Sequence, residues 1–243
     1  MTAHRTDAAG LARRAGAEAV GTAFLVAAVI GSGIAAQRLS PHDTGLQLLE
    51  NSVVTGAALV ALILAFQPVS AAFNPVVTLV EAALGGLRPR TVLALIAAQL
   101  TGGFVGAVVA NLMFDLDAVS IAGHHRDGSG RLLGEVVATL GLVLVIFGAA
   151  RSGRSEQVTY AVGGYITAAY WFTSSTSFAN PAVTVARMFS NTFAGIAPAS
   201  VAMFIAMQLL GAALGYLLIR ALYPAPSAVP LATAEATATE AVS

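Results

Sequence analysis

The sequence predicts an all-α membrane protein: six transmembrane helices plus two re-entrant half-helices, related by an inverted internal repeat. Three observations lead there. The 243-residue chain is 57% hydrophobic and only 10% charged, with a mean hydropathy of +0.80. That is the balance of a helical membrane protein, not of a soluble domain. Two charge-free runs of 30 residues, 51–80 and 157–186, each carry Asn-Pro at the same internal place (Asn74, Asn180). Finally, the first half of the chain resembles the second.

The elements follow in order. Residues 19–37 carry no charge and, with Glu18 at their start, form one helix. Arg5, Arg13 and Arg14 ahead of this run resemble the basic end of a signal peptide. The segment has a counterpart later in the chain, however, so it is expected to stay as the first span. The run 51–80 is too long for one upright span, which takes about 20 residues, and too short for two. It reads as a full helix, a return loop and a half-helix ending mid-membrane. The run 91–114 is a full helix. Residues 136–150, with "RLLGE" before them, reach membrane length. The run 157–186 repeats the helix, loop and half-helix. A short loop then precedes a last helix at about 198–222. Asn is a strong N-cap, and proline suits the first helical position, where its missing N–H costs nothing. Asn-Pro here therefore starts a helix. A start inside the bilayer is tolerated only where the freed backbone groups line a watery cavity.

The repeat aligns Glu18 with Glu135, Asn74 with Asn180, and "QLTGGFVG" (99–106) with "QLLGAALG" (208–215). Three full helices per half is an odd number, so the second half is inverted. One face receives Arg5, Arg13, Arg14, Arg88, Arg90, Arg151, Arg154 and Arg220; the other receives Arg38, Arg126 and Arg131, plus Arg187 in the second half-helix. The richer face is expected to be cytoplasmic, with both termini there. The chain divides into an N-terminal cytoplasmic segment (1–14), a membrane domain (15–222, repeats about 15–114 and 131–222) and a disordered cytoplasmic tail (223–243).

Two half-helix N-termini meeting at the midplane place two positive dipole ends, each about half a charge, at one point. Cations and protons are repelled there, while two Asn amides offer donors to a neutral solute. No catalytic arrangement, phosphate loop or cofactor motif is present. Cysteine is absent, and twelve Arg balance twelve acidic residues. Nothing therefore points to an enzyme, a cofactor, a metal or a nucleic-acid partner. A coupled transporter would need intramembrane acids; the candidates Glu18, Glu81 and Glu135 all fall near expected helix ends.

Asn180-Pro181-Ala182 and its variant Asn74-Pro75-Val76, together with Glu18, Gly21-Thr22 and the repeat, resemble the aquaporin and aquaglyceroporin family over about residues 15–222. The resemblance implies a homotetramer in the cell membrane, with one pore per subunit for water and small neutral solutes. It implies that Glu18 and Glu135 brace the half-helix loops by hydrogen bonds. It also places the selectivity filter at Thr55 (Val54 without a one-residue gap), Ala168 or Ala169, Ser177 and Val183. Family members usually carry Arg at that last position. Such a filter is small, uncharged and wide, and resembles those of channels passing metalloid acids such as arsenite; the alternative is a plain water or glycerol facilitator. Arg187, one turn past Val183, either enters the vestibule as a partial substitute or pairs with a loop carboxylate. The glycine pairs 102/106 and 211/215 read as helix contacts, His124-His125 as a solvated loop pair, and Trp171 as an interface anchor.

Overall fold

The computed structural model describes residues 2–223. The disordered tail expected over 223–243 lies, apart from Tyr223, outside the described residues. Eight α-helices form the architecture, and no strand occurs among the described residues. In chain order they are α1 (Thr2–Leu39), α2 (Thr44–Phe66), α3 (Pro75–Ala83), α4 (Pro89–Met113), α5 (Ser129–Arg151), α6 (Val158–Phe172), α7 (Pro181–Ala186) and α8 (Pro198–Leu222). Five are long and apolar enough to cross a membrane. The sixth long element, α6, has 15 residues, with a 3-10 turn over Ser155–Gln157 leading into it.

Local chemistry sets the boundaries. Asp43 is extended, and its Oδ1 accepts from Leu46 N at 2.9 Å, starting α2 seven residues before the charge-free run. Glu50 is tolerated inside α2 because Ser40 Oγ donates to it at 2.8 Å. Pro89 and Pro198 open α4 and α8, where the first N–H needs no partner. α1 begins well before its apolar run, so Glu18 sits inside the helix and not at its start.

The packing repeats with the sequence. α1 lies against α4 and α2, α5 lies against α8 and α6, and α2 meets α6 between the halves. α3 and α7 touch each other, and each rests on α4 and α8 or on α8 and α4. Glycine makes the tightest contacts possible. A Cβ at Gly102 would lie 2.8 Å from the carbonyl carbon of Ala19, and one at Gly106 about 3.0 Å from that of Ala23. In the other half, Gly211 faces the Val136 backbone and Gly215 the Val143 side chain. These are the small-residue approaches that let helices close in a membrane. Large apolar side chains such as Phe24, Leu93, Phe104, Leu112 and Leu217 face outward, as a spanning bundle requires.

Candidate pore and its constriction

Each half-helix is built by its Asn. Asn74 is extended, and its Oδ1 accepts from Val76 N at 3.1 Å; Asn180 Oδ1 accepts from Ala182 N and Val183 N at 3.0 and 3.2 Å. Pro75 and Pro181 occupy the first helical position. The two motifs also clasp each other. Asn74 Nδ2 donates to the Ala179 carbonyl and Asn180 Nδ2 to the Phe73 carbonyl, both at 2.8 Å. An amide has two N–H donors, so one on each Asn remains for the cavity that both line.

The carbonyls in this clasp belong to residues in left-handed backbone: Phe73 at φ +47° and Ala179 at φ +46°. Non-glycine residues there cost about 1–3 kcal/mol each and persist only when the surroundings over-determine them. Two buried carboxylates do so. Glu18 accepts from Ser70 Oγ (2.6 Å), Ala72 N (2.8 Å), Phe73 N (2.6 Å) and Gln99 Nε2 (2.8 Å). Glu135 accepts from Phe178 N (2.9 Å), Ala179 N (3.0 Å) and Gln208 Nε2 (2.6 Å). The same glutamines donate to Thr78 Oγ1 (3.0 Å) and Thr184 Oγ1 (2.8 Å). Those hydroxyls in turn donate to the Asn74 and Asn180 carbonyls. Thr78 and Thr184 escape a reading based on Asn-Pro alone. Their signal is the longer repeat, Asn-Pro-Val-Val-Thr against Asn-Pro-Ala-Val-Thr. With their oxygens occupied by fixed donors, Glu18 and Glu135 are anchors within the bundle.

A cavity of about 110 Å³ runs past the Asn pair. Its walls are stripes at helical spacing: Leu25 and Val29 on α1, Thr55, Leu59 and Ile63 on α2, Leu142 and Ile146 on α5, and Val158, Val162, Ile166 and Tyr170 on α6. The α1 and α5 pairs keep the offset of 117 that relates Glu18 to Glu135. Val77 and Val183 line it one turn after each Asn, whereas Val76 and Ala182 are packed away in the bundle.

Of the expected filter positions, Thr55, Ser177, Val183 and Arg187 line this cavity. Ala168 and Ala169 do not. Ala168 is exposed on the outside of α6, and Ala169 is buried in packing. The α6 stripe runs in steps of four from Val158 to Tyr170, and residues two apart lie about 200° apart on a helix. Tyr170 therefore takes the α6 place, its hydroxyl 3.3 Å from Thr55 Oγ1. It is the residue that matching by position misses, and the i+4 stripe is what would have found it. Val54 is exposed on the other side of α2.

Arg187 is 2% exposed. It donates through Nε to the Ala194 carbonyl and stacks on Phe178, its Cζ 3.4 Å from the ring centroid. Among the described residues no carboxylate pairs with it. It also borders a second cavity, of about 160 Å³, on the face opposite the termini. Arg126, from the loop before α5, lines that cavity too and lies over the same ring at 4.9 Å. Burial, helped by nearby Arg131, lowers the Arg126 guanidinium to about 10, which leaves it charged at neutral pH. His125 is exposed and 3.5 Å from Asp127, while His124 gives its carbonyl to Ala197 N. Trp171, half exposed, donates to Ser52 Oγ at 3.1 Å.

Paired half-helices, head to head beside a cavity through a helical bundle, define a membrane channel with two pseudo-equivalent halves. The chain matches the model of the major intrinsic protein family over residues 5–172 and 151–243, and it belongs to that family. It is 49% identical to aquaglyceroporin AqpS of Rhizobium meliloti (strain 1021) over 211 residues, 86% of this chain and 90% of the relative. The X-ray structure of the aquaglyceroporin from Plasmodium falciparum superposes with a TM-score of 0.64 at 18% identity, covering 86% of this chain and 93% of that one. That likeness concerns the fold. The protein is thus a multi-pass aquaglyceroporin-type channel and not an enzyme.

Proposed function

We propose that this channel passes small polyhydroxylated neutral solutes, of glycerol or arsenous acid size, along with water. The observation that carries this is the ring of hydroxyls beside Val183. Thr55 and Tyr170 face each other, and Ser177 Oγ is buried without a protein partner while its residue lines the cavity. A buried hydroxyl left unpaired is costly, and a solute with several OH groups satisfies it. The opposite wall is apolar, which suits the carbon or arsenic face of such a molecule. Val183 puts a short, uncharged side chain where a bulky charged one would narrow the path, and Tyr170 restores bulk on one side only. The aquaglyceroporin relative supports the same solute class.

The test is uptake into proteoliposomes, comparing water, glycerol and arsenite. Glycerol and arsenite flux should exceed that of empty vesicles, stay non-saturating and ignore a proton gradient. Flux of water alone would reject the reading, and proton-coupled flux would favour a transporter. We further assign the chain to the cell membrane as a homotetramer with both termini cytoplasmic. Arg13, Arg14, Arg88, Arg90, Arg151, Arg154 and Arg220 on the terminal face support that orientation. Because the chain lacks cysteine, Ser152→Cys should be labelled by an impermeant maleimide only after cells are opened, and Gly123→Cys in intact cells.

A further inference from the structure

The second cavity shares a single residue with the central one, Arg187. Its polar members are Thr44, Asn51, Arg126, Thr176 and Arg187. Two guanidiniums on one ring and one cavity repel each other, and a protein normally answers that with a carboxylate. Here it does not. Three consecutive carbonyls hold the pair instead: Arg126 donates to Phe193 O (3.2 Å) and Gly195 O (2.9 Å), and Arg187 to Ala194 O. The nearby acids are committed elsewhere: Glu135, close enough to act on both guanidiniums, is taken up by Phe178 N, Ala179 N and Gln208 Nε2. Asp127 accepts from Ser200 Oγ at 2.7 Å and sits beside His125, and Asp43 caps α2. The terminal nitrogens of Arg187 and the Nη1 of Arg126 have no acceptor among the described residues. Neither do the hydroxyls of Thr44 and Thr176.

We propose that this cavity is a binding site for a small monovalent oxyanion, a carboxylate or a three-oxygen head group such as a sulfonate, held between Arg126 and Arg187. Guanidinium forks match such oxygens in geometry, and charge-assisted hydrogen bonds are the strong ones. About 160 Å³ holds an anion of a few heavy atoms. Both guanidiniums line it, and each keeps at least one donor nitrogen without an acceptor among the described residues. Because Arg187 also borders the central cavity, a bound anion stands over the path of the neutral solute. Ionised acids then occupy the mouth and slow the channel, while their neutral forms do not.

Binding can be read without flux, so the result is independent of which solute permeates. Purified protein in lipid nanodiscs is titrated calorimetrically with sodium methanesulfonate at low ionic strength, with dimethyl sulfone as the uncharged isostere. One methanesulfonate per chain is expected, weakened by added salt, with no binding of dimethyl sulfone. Arg126→Gln should weaken it by about tenfold or more, the size of one lost charge-assisted interaction. Where that variant does not fold, Thr44→Trp at the exposed start of α2 fills the rim and should abolish binding. Absence of methanesulfonate binding to the wild type overturns the proposal. So does equal binding of the sulfone, and so does undiminished affinity in Arg126→Gln or in Thr44→Trp.

Discussion

Two buried glutamates decide whether the pore lining keeps its shape. Glu135 offers both oxygens to the N–H groups of Phe178 and Ala179 and to Gln208. A neutral amide there keeps the size but turns one acceptor into a donor facing donors. Glu135→Gln should therefore cost about 2–4 kcal/mol, since it leaves buried N–H groups unpaired at a left-handed residue. Thermal unfolding in detergent should shift down by several degrees, with solute permeability falling in parallel; an unchanged melt would mean that Glu135 does not hold the loop. At Val183 the effect is steric and selective. Val183→Arg should cut glycerol and arsenite flux far more than water flux, because the side chain enters beside Tyr170 and Thr55. Equal loss of all three in stopped-flow assays, or no loss, would place Val183 off the constriction. These roles differ in how far the sequence reveals them. Asn74, Asn180, Glu18 and Glu135 stand out because a polar group in an apolar run has few alternatives and each is duplicated. Tyr170 does not, because its place depends on the rotation of α6, and rotation is visible only through the Val158-Val162-Ile166 stripe.

At the scale of elements, glycine spacing sets how close the helices come. α1 reaches α4 over Gly102 and Gly106, and that approach fixes where Glu18 meets the first loop. Gly102→Ala would drive a methyl into the Ala19 backbone, which cannot rotate aside. Overpacking of this kind costs about 1–3 kcal/mol. Gly164 on α6 has open space where its Cβ would be. Gly164→Ala should be neutral or slightly stabilising, through helix propensity. Unfolding of the two variants side by side checks this, and similar stability for both would show that the α1–α4 contact yields more than its geometry implies. Helix existence was legible from charge-free runs, but helix ends were not. α1 and α2 both begin before their apolar runs, because a helix can carry charge outside the core and Asp43 supplies a cap. α6 is shorter than its run suggests, because the return loop takes residues 173–180.

At the scale of the whole molecule, the two halves meet at one clasp, and charge selection is expected to depend on it. The half-helix dipoles point their positive ends at the Asn pair from both faces, so the barrier to cations is expected to arise from backbone without an arginine at position 183. Asn180→Asp tests this directly. Its carboxylate still accepts from Ala182 N and Val183 N, so α7 keeps its cap. It no longer donates to the Phe73 carbonyl, and it places a full negative charge against about half a positive one from each helix. The net positive charge at the Asn pair is then cancelled. Vesicles carrying the wild type should hold an imposed pH or sodium gradient while passing neutral solute. Vesicles carrying Asn180→Asp should leak cations while neutral flux falls, because the second amide donor is gone. A variant that stays tight to cations with its fold intact would show that the barrier lies at Arg126 and Arg187 instead. In that case Arg126→Gln, and not Asn180→Asp, should open the leak.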